Sequence, residues 1–250
     1  MKKSVSITAI LIKLKDIKMK KIIIAVAMLA FGTVSSHAID RSAFSLTAGL
    51  AANQGVFGAS AKETNLQEDN TAGHIKKESG VFTDGYHSTF IEMNIGEVFS
   101  VGYEHTPDSI TTPTNTSREG GDDENNMRVD FNELNTIYVK LNLPFATGMY
   151  VRAGTVSTDI DITETGGSNT YKNVSTDGEI YGVGYSKTLG DSPVGLRIEG
   201  SYLEFDNVSA NNGVAADGGS PSNGGRNTID ASNLEGLNAK LALTITLGGN

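Results

Sequence analysis

Leu237-Asn238-Ala239-Lys240-Leu241-Ala242-Leu243-Thr244-Ile245-Thr246-Leu247 decides the fold. Its odd positions are all apolar, and its even positions are Asn, Lys, Ala, Thr and Thr. A repeat of two gives a strand one apolar and one polar face. The same alternation recurs upstream. Phe44, Leu46, Ala48 and Leu50 carry it, as do Phe99, Val101 and Tyr103, and Ile137, Val139, Leu141 and Leu143. Met149, Val151 and Ala153 follow, then Leu196 and Ile198.

The segments between these strands come in two lengths. Short ones fall at Asn94-Ile95-Gly96-Glu97, Pro144 to Gly148 and Gly190 to Pro193, with the compositions of tight turns. Long polar ones fall at about 63–84, 106–130, 160–177 and 207–230. Their order is long, short, long, short, long, short, long. Seven connections predict eight strands with both chain ends on the short-turn side. Short turns on one side and long loops on the other are the pattern of outer-membrane barrels. Closure follows from physics, because a strand in lipid must pair every backbone N–H and C=O and only a ring has no edge. The expected fold is therefore all-β, an eight-stranded antiparallel up-and-down transmembrane β-barrel. Four long external loops and three short periplasmic turns complete it.

The chain of 250 residues has no Cys and no Trp, with 29 Gly and 5 Pro. Charge is unevenly placed: the first 38 residues hold seven Lys against the single acid Asp16. Thirteen basic and 28 acidic residues remain, a net of −15 over the rest. Such a surface repels phosphate backbones and excludes nucleic acid as a partner. Met19-Lys20-Lys21, the apolar run Ile22 to Phe31 and the small-residue exit Ser36-His37-Ala38 read as a cleaved export signal. Residues 1–38 are assigned to it, with 1–18 as an extended or mis-assigned start, and residues 39–250 to one barrel domain. The apolar run is about half the ~20 residues of a spanning helix.

The chain resembles the small eight-stranded outer-membrane barrels, the OmpA/OmpX-type and opacity-protein group. The likeness is carried by Phe90-Ile91-Glu92-Met93 with Val98 to Tyr103, by Ile137 to Lys140 with Tyr150 to Gly154, and by Tyr181-Gly182-Val183-Gly184-Tyr185. It implies a monomer in the outer-membrane lipid, delivered by the barrel-assembly machinery. Such barrels commonly close on an aromatic residue, whereas this chain closes on Leu247-Gly248-Gly249-Asn250.

If the apolar stripes face lipid, then Glu92, Glu104, Lys140, Arg152, Arg197, Glu199 and Lys240 face inward. In so narrow a lumen they should pair, since an unpaired buried charge is costly. The pairing makes either a static polar plug or a gate of opposed charges through which small solutes pass. The long segments are acidic, with Glu63, Glu68 and Asp69, then Glu119, Asp122, Asp123, Glu124 and Asp130, then Asp161, Glu164 and Asp177, and last Asp217 and Asp230. They read as a solvated surface more readily than as divalent-cation ligands, since no EF-hand spacing is present. A turn centred between Ile95 and Gly96 would bring His87 and His105 together at the external rim, within reach of Asp108. Tyr86, Tyr103, Tyr150, Tyr185 and Tyr202 read as girdle or lumen residues.

No G-x-S-x-G, H-E-x-x-H or P-loop is present, so no catalytic residue, cofactor or metal is assigned. Three functions follow for test. The first is a non-enzymatic barrel with a structural or surface role, or a narrow porin-like passive channel. The second is a barrel enzyme built on His87, His105, Asp122 and Asp123. The third is a secreted soluble β-rich binder, in which the same stripes would face one another across a core.

Overall fold

Alternating Leu, Ile, Val and Tyr, with turn residues between the runs, build strands only. The computed structural model describes residues 44–66, 72–118, 124–165, 170–213 and 226–248. The export signal read over residues 1–38 lies outside them, as do Glu68, Asp69, Glu119, Asp122, Asp123 and Asp217. The described strands are β1 (Phe44–Leu66), β2 (Ala72–Ile95), β3 (Phe99–Thr106), β4 (Ile110–Thr111), β5 (Asn115–Arg118) and β6 (Glu124–Asn142). They continue with β7 (Met149–Thr165), β8 (Val174–Thr188), β9 (Val194–Phe205), β10 (Val208–Asn211) and β11 (Asn227–Gly248).

Eight of these form the wall, in the order β1-β2-β3-β6-β7-β8-β9-β11, and β1 pairs with β11 to seal the ring. Every pairing is antiparallel. The seam runs from Ser45 opposite Gly248 to Asn65 opposite Asn227. The short strands β4 and β5 extend the sheet beside β6, and β10 beside β11.

The three short turns lie where the sequence places them. Gly96, Gly148 and Gly190 occupy left-handed backbone in them, at φ 62°, 83° and 62°, a conformation glycine adopts without a Cβ clash. The first turn is centred differently, however. Ile95 pairs with Phe99, so His105 stands opposite Thr89 and not beside His87. The four long connections also differ from the reading. Most of 63–84 is the upper part of a hairpin in which Lys62 pairs with Lys77 and Glu63 with Lys76. Likewise Asp130 pairs with Asp161, and Ile160 with Val174. Beyond the lipid a ladder can be wet on both faces, so it loses the apolar stripe that marks a strand while keeping its backbone bonds.

Besides a register shift at the top of the β1–β2 hairpin, between Asn65 and Leu66, two bulges interrupt the wall, on β6 between Asn132 and Asn135 and at the seam opposite Gly58 to Ser60. Each holds a left-handed non-glycine residue, Glu133 at φ 50° and Asn233 at φ 53°. In each case the next residue is a buried leucine, Leu134 or Leu234. Strands β6 and β11 are diametrically opposite in the ring of eight. An inserted residue reverses the inside–outside parity of a strand: Leu134 and Leu234 continue the even inward series of Lys140 and Lys240, and beyond the bulges odd residues turn inward, among them Phe131 and Ile229.

Outside, the wall is apolar. Leu50, Leu237 and Ile198 are 60%, 62% and 55% exposed, and Leu46, Ile91, Ile137, Val183, Leu241, Leu243 and Ile245 are exposed with them. On β11 this belt runs from Leu237 to Leu247. Ten residue steps at a tilt of 35–45° give it a height of about 25 Å, the height of the lipid-facing band of outer-membrane barrels. Tyr103, Tyr181 and Tyr202 mark its upper edge: their hydroxyls donate to Asn135, Glu179 and Glu235, each a step toward the long-connection end. The oily stripes therefore do not meet in a water-soluble core, which overturns the soluble-binder reading.

Candidate functional site: a charged layer inside the barrel

The inward residues fill the barrel in two layers. Toward the long-connection end lies an apolar layer of Phe57, Tyr86, Ile110, Leu134, Val156, Ile180 and Leu203, with Phe82, Phe131 and Phe205 packed against it. The residual cavity within it is about 20 Å³, room for about one water-sized sphere.

Below it lies the charged layer. Glu92 on β2 accepts from Lys140 Nζ at 2.6 Å and from both terminal nitrogens of Arg197 at 2.6 and 2.8 Å. The Tyr138 hydroxyl donates to it at 2.8 Å. Glu104 on β3 accepts from Arg152 at 2.6 Å, Lys240 at 2.7 Å and Ser88 at 2.6 Å. Glu199 on β9 lies 3.1 Å from Arg152 and 3.5 Å from Lys240, and accepts from the Tyr150 hydroxyl at 2.8 Å. All seven residues named from the alternation thus meet in one layer. Their charged side chains are at most 7% exposed. Buried ion pairs hold when geometry is good and the remaining lone pairs are bonded; Glu92 and Glu104 meet that on both oxygens, whereas Glu199 Oε1 faces Arg152 and Lys240 as an ion pair without a hydrogen bond.

The sequence reading leaves out what supports the layer. Every cation lies against an aromatic face. Arg152 is 4.5 Å from the Tyr138 ring centre, Arg197 is 4.8 Å from Phe90 and 5.3 Å from Tyr150, and Lys140 is 5.6 Å from Tyr150. Lys240 is 5.9 Å from Phe90. Desolvated contacts of this kind contribute roughly 2 kcal/mol. Each ring in turn lies over a glycine on the neighbouring strand: Phe90 over Gly49, Tyr138 over Gly102 and Tyr150 over Gly184. A Cβ at any of the three glycines would run into the ring. Of the pair in Gly182-x-Gly184, Gly184 is therefore a steric seat for Tyr150, while Gly182 lies beside Glu199. Inward parity two residues from Lys140 and Arg152 is the signal by which Tyr138 and Tyr150 were findable.

Among the described residues, those at the rim do not assemble a second site. His87 faces outward, and its backbone N–H and ring Nδ1 lie 2.7 and 3.1 Å from one carboxylate oxygen of Asp108. That backbone bond, with the ring beside it, holds the Asp108 carboxyl below its usual range. His105 also faces outward and engages Asn135 at 2.8 Å. The acids are individually occupied. Asp130 accepts from Thr111 and Arg128, and Asp161 from Asn132. Glu63 accepts from Tyr171, whose hydroxyl is pushed up by burial and by that carboxylate. Among the described residues no three His, Asp or Glu side chains gather as metal ligands would.

A closed eight-stranded ring with an apolar exterior and a polar mid-section is the design of a protein that spans the bacterial outer membrane, and that is the class the geometry defines. The fold is that of the small eight-stranded outer-membrane β-barrels. Among solved structures, the chain is similar to the outer membrane protein OprG from Pseudomonas aeruginosa, at 10% identity and a TM-score of 0.51 over 80% of this chain and 96% of that one. It is also similar to Ail, the attachment invasion locus protein of Yersinia pestis. There the identity is 9% and the TM-score 0.38, over 79% of this chain and 99% of that one. The likeness to OprG shows a shared fold and nothing of its activity. No protein-family model and no curated protein matches the chain.

Proposed function

We propose that this is a non-catalytic outer-membrane barrel with a closed lumen, whose role is structural or lies at the surface of its long-connection end. The observation that carries this reading is the doubly filled interior: three glutamates ion-paired with four cations, and above them a packed apolar layer. Water-filled conduction needs a continuous polar path, and the apolar layer interrupts it. Two further features support a non-catalytic role. His87 and His105 face outward, and their nearest polar partners are Asp108 and Asn135. We propose further that the barrel is a monomer placed by the assembly machinery, since its ring is complete without a second copy. Planar-bilayer recording tests the reading. The full chain should give no stable unitary conductance, and a steady ohmic pore would overturn it.

A narrow passive channel is the second reading. It is favoured by the buried polar atoms of the charged layer that have no hydrogen-bond partner, among them Arg152 Nε, Arg197 Nε and Ser201 Oγ, where water could lodge. In that case Lys140→Met or Arg152→Met should change ion selectivity as well as stability.

A further inference from the structure

We propose that the charged layer holds one small monovalent anion, chloride in its simplest form, on its Lys140–Arg197 side. The proposal builds on the closed lumen and goes beyond it by naming a ligand.

The layer divides into two groups. Glu104 and Glu199 share Arg152 and Lys240, two acids against two cations. Glu92 alone faces both Lys140 and Arg197. The second group therefore carries one positive charge in excess. Its three side chains are 0–6% exposed, so bulk ions cannot screen that excess from a distance. An uncompensated charge in so dry a place is costly. The nearby aromatic faces offset it incompletely. One ring, Tyr150, serves Lys140 and Arg197 together, and its hydroxyl is already committed to Glu199.

The surroundings suit an anion. Toward the short-turn end the next inward residues are Thr47, Asn94, Ser100, Thr244 and Thr246, all neutral hydrogen-bonding groups. Asn94 ties Ser45, Thr47 and Ser100 together, and Thr47 meets Thr246 at 2.8 Å. Among the described residues no carboxylate faces the lumen between this layer and the short-turn rim. Arg197 keeps a buried Nε without a hydrogen-bond partner. The Lys140 ammonium has three donors, of which one is used on Glu92. The positive group thus adjoins a neutral polar vestibule on its short-turn side, with a donor to spare. Crowding inside an eight-stranded ring favours a single-atom ion over sulfate or an organic acid.

The test uses the full chain folded in detergent, followed by the loss of its heat-resistant gel mobility on warming. Sodium chloride is compared with sodium gluconate at equal ionic strength. The midpoint should rise by roughly a few degrees and saturate as chloride replaces gluconate, as expected for a ligand bound only by the folded state. Lys140→Met balances the group and should abolish the chloride response. Lys187→Met, which removes an exposed cation outside the layer, should leave it intact. Chloride-35 line broadening by the folded wild type, absent after heat denaturation, gives a readout that needs no variant. Equal midpoints in the two salts without line broadening would overturn the anion and leave the barrel standing. So would a response that survives Lys140→Met. A chain without any heat-resistant form would overturn the barrel and the anion together.

Discussion

Glu92 on β2 and Arg197 on β9 meet end-on across the lumen, three strands apart around the ring, through two bonds of 2.6 and 2.8 Å. The pair ties opposite regions of the wall together, and Lys140 joins it from β6.

The first prediction is an asymmetry within this group. Glu92→Gln leaves two buried cations facing a neutral amide and should destabilise the barrel by about 3–5 kcal/mol. Lys140→Met leaves the bidentate Glu92–Arg197 pair intact and should cost less than half as much. Urea unfolding in lipid vesicles measures both. Equal losses would show that the pair is not the dominant contact.

The second concerns the seat beneath Tyr150. Gly184→Ala puts a methyl group where the ring lies and should destabilise by about 1–3 kcal/mol through overpacking. Gly200→Ala on the neighbouring strand meets open space and should be nearly neutral. The same unfolding assay separates the two. A neutral Gly184→Ala would mean that Tyr150 does not pack as described.

The third addresses the bulge on β6. Glu133 holds a left-handed backbone that Asn and Gly adopt more easily. Glu133→Asn should therefore stabilise by about 0.5–1 kcal/mol. A loss of stability would show that the carboxylate makes a contact worth more than the relief.

The fourth probes the lipid face. Ile198→Arg introduces a charge into the middle of the apolar belt and should cost roughly 2–4 kcal/mol, whereas Glu179→Arg above the tyrosine edge should cost about 0–1 kcal/mol. Similar losses at both positions would mean that the belt does not lie in the bilayer.

The fifth is a pH dependence at the rim. The Asp108 carboxyl is held below its ordinary value of 3.8 by the His87 backbone. A depressed carboxyl adds stability above the unfolded-state value and loses it as pH falls through its own lower one. The segment 107–114 should therefore resist proteolysis at neutral pH and loosen below about pH 4. Asp108→Asn should already be loose at neutral pH, and unchanged cleavage in that variant would remove the role.

The strands of the belt were legible because lipid on one side and a polar lumen on the other impose a strict two-residue repeat. That repeat also exposed all seven lumen charges, since Lys140, Arg152, Arg197 and Lys240 interrupt apolar runs at alternate positions. The upper ladders were not legible. Lys62 opposite Lys77 and Asp130 opposite Asp161 are polar on both faces, so their composition is that of a loop while their backbone is that of a strand. The bulges at Glu133 and Asn233 were hidden for a related reason. A parity reversal in a polar stretch erases no visible stripe, and its result, Phe131 and Ile229 turned inward, shows only once the pairing is known. Tyr138 was overlooked because it sits between Ile137 and Val139 and reads as one more bulky strand residue.

The seam between β1 and β11 carries a consequence for biogenesis. The first strand finds its partner nearly two hundred residues later, so the ring cannot close before the last strand is present. Until the final strand arrives, two long rows of backbone donors and acceptors face outward, able to pair with a neighbouring chain. A chain cut short within β11 would leave the facing stretch of β1 without a partner, since among the described strands only β11 pairs with that edge.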